Sequence, residues 1–416
     1  MHEQTPAKVP EGAKQAGETQ SQFDWRWVER SVWTDRMLAT LEVGVKGGKW
    51  FSLIDKVYRP TNLAQAFANV KANKGAAGVD HVSIAMFEEN LEINLHQLSE
   101  QLRTGTYRPQ AIREVLIPKP GSKEKRPLGI PTVRDRVVQG AVRQVIEPIF
   151  ERDFAEHSYG FRPRRGAKDA LREVDRLLKA GYTQVVDADL RRYFDTIPHD
   201  QLMGKVSEKI ADGKLLTLIQ QFLKQPIFLE DLAEAVPTEG TPQGAVLSPL
   251  LANLYLNELD HLMASRGYHM IRYADDFVVL CETPEQAKAA LDVIRDWTEA
   301  AGLILHPEKT HVVDVKQGSF EFLGYQFSPR GKWPRDKSMQ RFKDTIREKT
   351  KRNKGRSLEA IIADVNRTLR GWYEYFKHAH RWVFAPLDSW IRCRLRSILR
   401  RRRGLRGRGR GADHQR

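Results

Sequence analysis

Ile271-Arg272-Tyr273-Ala274-Asp275-Asp276-Phe277-Val278-Val279-Leu280 is the stretch on which the reading of this chain turns. Two adjacent carboxylates separate two apolar runs, each with the composition of a core strand. Side chains alternate along a strand, so neighbouring acids belong in a turn or at a strand end. Like charges this close repel, and burying them is costly unless a cation neutralises them. Oxygen-only ligands favour a hard divalent ion such as Mg²⁺. A plain surface turn also accommodates Asp-Asp, so the remaining chain has to decide.

The chain has 416 residues, enough for two or three domains, and a net charge of +15. So basic a balance points to a polyanionic partner, nucleic acid before membrane. No apolar run approaches the roughly 20 residues of a membrane span, and the N-terminus lacks the apolar core of a signal peptide. Cys281 and Cys393 cannot build a disulfide framework or a Cys-rich zinc site. A cytoplasmic setting is the expectation that follows.

Working outward, Gln184-Val185-Val186-Asp187-Ala188-Asp189-Leu190 reads as a β-branched strand running into Arg191-Arg192-Tyr193-Phe194-Asp195. Asp189 ends that strand about 85 residues before the Asp275-Asp276 turn. Adjacent placement in one sheet brings Asp189, Asp275 and Asp276 together. Three such carboxylates hold two Mg²⁺ ions about 4 Å apart, the arrangement for in-line displacement at a phosphate. Nucleotidyl transfer is the reaction class implied.

The segment 115–131 reads as two short strands with a basic turn, where Lys119, Lys123, Lys125 and Arg126 face a triphosphate, a phosphodiester backbone or simply solvent. Ser158-Tyr159-Gly160-Phe161-Arg162-Pro163-Arg164-Arg165-Gly166 interleaves rings with guanidinium groups, a pattern suited to a nucleic-acid strand. Helices are expected over 83–104, 134–150 and 167–180, and after Ser248-Pro249 and Thr283-Pro284, where Ser248 and Pro249 read as N-cap and N1. Trp25, Val28, Trp33, Met37 and Leu41 also recur at helical spacing. Strand-like pieces follow at 303–306, 310–315 and 320–327, and strands alternating with helices describe an α/β platform. From Gly331 the chain reads as helical and basic, with Leu358, Ile361, Ile362, Val365, Leu369, Trp372 and Tyr373 on one stripe read as core.

Tyr273-Ala274-Asp275-Asp276 resembles the Tyr-x-Asp-Asp box of reverse transcriptases. The block 189–195 is similar to their first catalytic block, Thr241-Pro242-Gln243-Gly244 to their nucleotide-binding block, and Phe322-Leu323-Gly324-Tyr325 to the block closing their palm. Ser158-Tyr159-Gly160-Phe161-Arg162-Pro163 and Leu369-Arg370-Gly371-Trp372-Tyr373-Glu374-Tyr375-Phe376 narrow the resemblance to group II intron-encoded reverse transcriptase/maturases. It covers roughly residues 51–397.

The resemblance implies an α+β right-hand polymerase: fingers, a palm with an antiparallel sheet, then a helical thumb, or domain X. The expected division is a disordered tail over 1–22, an N-terminal extension and fingers over 23–180, and a palm over 181–330, with the reverse transcriptase domain at about 100–328. The thumb then covers 331–399 and a disordered Arg/Gly-rich tail 400–416. By the same resemblance Asp189, Asp275 and Asp276 are the catalytic metal ligands, and Phe194 excludes a 2′-hydroxyl. Gln243 and Gly244 line the incoming nucleotide, Lys119 and Arg126 grip its triphosphate, and Lys309 lies near the site. Tyr159, Phe161, Arg162, Arg164 and Arg165 are the RNA contacts. Asp187 and Asp195 stay outside the metal set, Asp195 turning away to cap local backbone.

Arg164 and Lys168 stand where the family often has glycine and histidine. Two isolated cysteines cannot form the zinc framework of the endonuclease that many relatives append, so none is expected. The implied partners are an RNA template, intron RNA, a DNA primer or target and dNTPs. Two other readings share these residues: a polymerase recruited to host defence or repair, and a non-catalytic RNA-binding splicing factor.

Overall fold

The computed structural model describes residues 24–45, 47–118, 125–229, 232–353 and 355–405. Its strands, in chain order, are β1 (Ile112–Pro118), β2 (Lys125–Ile130), β3 (Gln184–Asp189), β4 (Ile227–Leu229), β5 (Leu232–Ala235) and β6 (His269–Tyr273). They continue with β7 (Asp276–Cys281), β8 (His311–Asp314), β9 (Phe320–Phe322), β10 (Tyr325–Ser328) and β11 (Gly331–Pro334). Three sheets result, ordered β2-β1-β4-β5, β6-β7-β3-β8 and β11-β10-β9.

The central sheet, β6-β7-β3-β8, is antiparallel throughout. Its strands are apolar on both faces because both are covered. Val186, Ala188, Phe277 and Val279 face the larger core, which also takes Leu251, Tyr255 and Leu259 from the helix Ser248–Ser265 and Ala290 and Ile294 from Pro284–Ala300. Val185, Val278, Leu280 and Ile271 point the other way. There they meet Leu171, Val174 and Leu177 of the helix Ala167–Lys179 and the phenylalanines of β9 and β10. The period of two thus sends alternate residues of each strand into different cores.

Helix signals act locally. Thr283 accepts from the Gln286 N–H at 3.2 Å and Pro284 takes the first helical position. Gly181 follows the helix Ala167–Lys179 at φ +103°. Several expectations need correction. Residues 83–104 form two helices, Ile84–Glu89 and Leu91–Thr104, because Asn90 leaves helical geometry and Asn94 bonds back to Phe87 O at 2.9 Å. Ser248 does not cap its helix; its hydroxyl donates to Pro242 O at 2.8 Å. Residues 331–334 are β11 rather than helix, and the following helix starts at Asp336. The piece 320–327 is a hairpin, turned at Leu323 (φ +47°) and Gly324 (φ +82°). Residues 303–306 contribute only a bridge, Leu190 to Leu305. Before Asp35 the early tryptophans sit in turns, where Trp33 is fully buried and donates to Gln144 O at 3.0 Å.

The helices Asp336–Lys349, Leu358–Phe376 and Phe384–Arg402 enclose a third core, including Phe342, Ile346, Ile361, Val365 and Ile391. Tyr373 of the expected stripe is exposed instead. Trp372 joins this core to the one beneath β9–β11, stacking on Phe342 at 4.4 Å. Two tyrosine hydroxyls add a reciprocal tie: Tyr325 to Tyr375 O at 2.6 Å and Tyr375 to Leu323 O at 2.7 Å. Phe327 stacks on Phe320 at 4.9 Å inside this junction. Phe327→Ala is expected to cost about 3–5 kcal/mol, read as a lower midpoint in urea denaturation.

Candidate active site

The register places the acids. Asp189, at the end of β3, lies directly opposite Asp276, the first residue of β7. Asp276 also pairs with Tyr273, so β6 and β7 are joined by the two-residue turn Ala274-Asp275. Residues about 85 positions apart therefore meet at one sheet end, with Asp275 at the hairpin tip.

That tip is held tightly. Ala274 has φ +60°, where two-residue hairpin turns ordinarily use glycine. Such a conformation costs on the order of 1–3 kcal/mol unless the surroundings enforce it. Here they do. Arg272, only 1% exposed, donates to Ala274 O at 2.8 Å. The same guanidinium binds Asp260 through Nε at 2.8 Å and through Nη2, Asn253 Oδ1 at 2.9 Å and Ser158 Oγ at 2.8 Å. All of its N–H donors are used. Burial pulls the Arg272 pKa down, but the charge and hydrogen bonds of Asp260 outweigh it and leave it raised. Gly160 backs the turn from behind: a Cβ there would lie 2.3 Å from Ala274 N. Asn253 fixes that glycine by donating to Gly160 O at 2.7 Å. None of Arg272, Asp260, Asn253, Ser158 or Gly160 was assigned this role from the sequence. The signal was there for Arg272, a charge inside an apolar strand that must have a partner.

Electrostatically the acids form a strained group. Burial and the nearby negative Asp187, Asp275 and Asp189 push Asp276 up to about 7. Burial also raises Asp275. Asp187 lies on the same sheet face as Asp189, two residues back, and burial pushes it up to about 6. Asp187 therefore adds to the charge that the site must neutralise. Lys309 donates to Asp189 Oδ2 at 2.5 Å, so one cation already stands at the cluster.

Among the described residues no three His, Cys, Asp or Glu side chains close on one point as a ligand set. The backbone register and the all-oxygen donors nonetheless fit a hard divalent ion. Burial, and then their own mutual repulsion, disfavour the ionised form of Asp275 and Asp276, and a bound divalent charge would favour it.

Comparison with known proteins gives the family. The family model "Reverse transcriptase (RNA-dependent DNA polymerase)" matches residues 117–327, just over half of the chain. The chain belongs to the reverse transcriptases. A second model, "Group II intron, maturase-specific domain", matches residues 339–414. Protein YkfC of Escherichia coli is 35% identical over 352 residues, 74% of this chain and 91% of that protein. Group II intron-encoded protein LtrA of Lactococcus lactis is 41% identical over 205 residues, 49% of this chain and a third (33%) of LtrA. Among solved structures, a chain titled "Partial Cas6-RT-Cas1--Cas2 complex" is similar at 26% identity and TM-score 0.39, covering 62% of this chain and 43% of that one. The protein is thus an RNA-directed DNA polymerase of the group II intron reverse transcriptase/maturase type, a family that works with divalent metal ions.

Around the reverse transcriptase's acids, the loop before Ser248 is built against the first sheet. Gly129 N–H donates to Gln243 O at 2.7 Å, and a Cβ on Gly244 (φ +108°) would lie 2.5 Å from Gly129 O. Only glycine permits that approach. Gln243 Nε2 donates to Asp195 at 3.3 Å, and Arg192 Nε reaches Asp195 at 3.2 Å. Asp195 is therefore corrected from backbone cap to positioner of the Gln243 amide. Phe194 is half-buried, at 5.6 Å from the Tyr193 ring. Arg126 is exposed on β2, opposite Ile117, and Lys119 lies outside the described residues.

Two expected RNA contacts are also corrected. Tyr159 is only 8% exposed and packs in the core beneath the sheet. Arg162 is buried in an ion pair with Glu151 at 2.8 Å and donates to Ser158 O at 2.8 Å. Both are used to hold the loop that backs the Ala274-Asp275 turn. Phe161 is 47% exposed, its ring 6.4 Å from Tyr273. Arg164 is exposed and paired with Asp24, while half-buried Arg165 donates to Glu156 O.

Arg272→Ala is expected to lower stability by about 3–5 kcal/mol, the scale for breaking a buried pair, measured by chemical denaturation. Gly160→Ala should displace the Asp275 tip and reduce kcat by about 10²-fold, with KM for dNTP nearly unchanged in primer extension.

The raised Asp276 pKa also has a sign. The folded chain binds this proton more tightly than the unfolded chain, so the metal-free fold loses stability as pH rises from about 4 to about 7. In EDTA, Asp276→Asn should therefore melt above the wild type, by a margin that grows over that window and is constant above it.

Proposed function

We propose that the protein copies RNA into DNA at the Asp189–Asp275–Asp276 site with two Mg²⁺ ions, and binds intron RNA as a maturase. The observation that carries this reading is the cross-strand pairing of Asp189 with Asp276 and the locked Asp275 turn between β6 and β7. When bound, Mg²⁺ supplies the charge that activates a primer hydroxyl and stabilises in-line displacement at the α-phosphate.

The chain's own groups do the positioning. Asp189, Asp275 and Asp276 hold the ions. Lys309 balances Asp189 until the site is loaded. The Gln243 amide, set by Asp195, and the Gly244 backbone border the incoming dNTP, with Phe194 against its sugar. Arg126 and Lys119 meet the triphosphate. Exposed Phe161, with Arg164 and Arg165, meets the template beside Tyr273.

Primer extension on an RNA template with a DNA primer, dNTPs and Mg²⁺ tests the reading. Asp275→Asn keeps the shape of the side chain and removes its charge. It should lower cDNA synthesis by about 10³-fold or more, the scale of losing one transition-state electrostatic partner, with RNA affinity nearly intact. Normal synthesis by this variant would refute the assignment.

A further inference from the structure

A second basic site lies at the far end of the central sheet. Thr183 precedes β3, and Asp189 closes it six residues on, so this end is roughly 20 Å from the acids at ~3.3 Å per residue. An open cleft of about 730 Å³ sits there, between the helix Ala167–Lys179, the end of β8, the β10–β11 turn and residues 378–380. That volume falls within the ~300–1,000 Å³ of small-ligand sites. Its floor includes the buried apolar Val315, and its walls carry Lys179, Lys316, Lys332, His378 and His380. The one acid in the wall, Asp175, is already paired with Lys332. Lys179 and Lys316 are exposed, with no acidic partner among the described residues.

An aromatic ladder stands at the rim. His380 stacks on Trp333 at 4.6 Å, and Trp382 meets His380 edge-on at 5.0 Å. Trp382 is 69% exposed, an unusual position for so large an apolar surface. Cations for phosphates beside an exposed tryptophan for a base is the make-up of a single-strand nucleic-acid site. His378, His380 and Trp382 lie within the segment that matches the maturase-specific family model.

We infer that this cleft binds a single-stranded segment of RNA, seating one base by the Trp333–His380–Trp382 ladder and its flanking phosphates on Lys179 and Lys316, while the catalytic groove is occupied. The inference rests on the maturase reading above and gives the RNA a place distinct from the template path.

The test uses the full chain saturated with an unlabelled RNA–DNA template–primer hybrid, so that the groove is filled. A labelled single-stranded RNA of about ten nucleotides is then titrated by fluorescence anisotropy at several salt concentrations. One equivalent should bind. The exposed-residue double variant Lys179→Glu/Lys316→Glu should weaken binding about tenfold or more and reduce the salt slope by about 1.4, at roughly 0.7 per phosphate contact on a single strand. Trp382→Ala should weaken it about fivefold or more with the slope unchanged, because stacking releases no counterions. Primer extension by all these variants should match the wild type. Unaltered affinity in the variants, or equally tight binding of a DNA strand of the same sequence, would overturn the inference. If the wild type itself extends no primer, the catalytic reading fails, and the anisotropy result is judged separately.

Discussion

The Arg272–Asp260 ion pair is the interaction on which the site depends. An arginine buried in a core strand is tolerable only when its charge is matched and its donors are filled. Asp260, Asn253, Ser158 and the Ala274 carbonyl fill them. The network thereby joins the helix Ser248–Ser265, the loop around Ser158 and the hairpin tip into one unit. A flexible polar turn could not keep Ala274 at positive φ; a turn clamped from the protein side can. Every partner in this clamp is a residue of the chain itself.

The acids show the opposite balance. Their positions are set by strand register, but their charges are unsatisfied, and burial plus mutual repulsion drive Asp276 and Asp187 toward neutrality. Carboxylates whose ionised form is disfavoured by burial and by one another are groups that a bound cation would stabilise. Lys309 on Asp189 offsets part of the rise at Asp275. The neighbouring loop is arranged in the same way: Asp195 aims the Gln243 amide, and Gly244 brings backbone against backbone where a side chain would not fit.

The three cores explain how these parts stay in register. The central sheet is shared by two of them, with alternate residues of β3 and β7 committed to each. Trp372 and the paired hydroxyls of Tyr325 and Tyr375 bind the helical region to the hairpin β9–β10. The helical region is therefore anchored to the β9–β10 hairpin, whose phenylalanines pack beneath the sheet that carries the acids, and Arg335, just before the helix Asp336–Lys349, pulls against the rise of the Asp276 pKa.

Much of this was legible in the residues. The β-branched runs marked β3 and β7, and Thr283-Pro284 and Gly181 marked helix ends. These are local signals, set by backbone sterics and by the periods of strand and helix. Other features depended on partners distant in the chain. Arginine and tyrosine carry the same letters whether they touch RNA or a buried carboxylate, so Arg162 and Tyr159 read as surface contacts until Glu151 and the core beneath the sheet appeared beside them. Asp195 read as a cap until Gln243 was found within reach, and Arg272 had no role until Asp260 did. The sequence by itself determined most of the strands and helices, through the local periods of the backbone. Only the tertiary structure decided which polar side chains are occupied inside the protein and which remain exposed, because a polar group's role is fixed by the partner it finds.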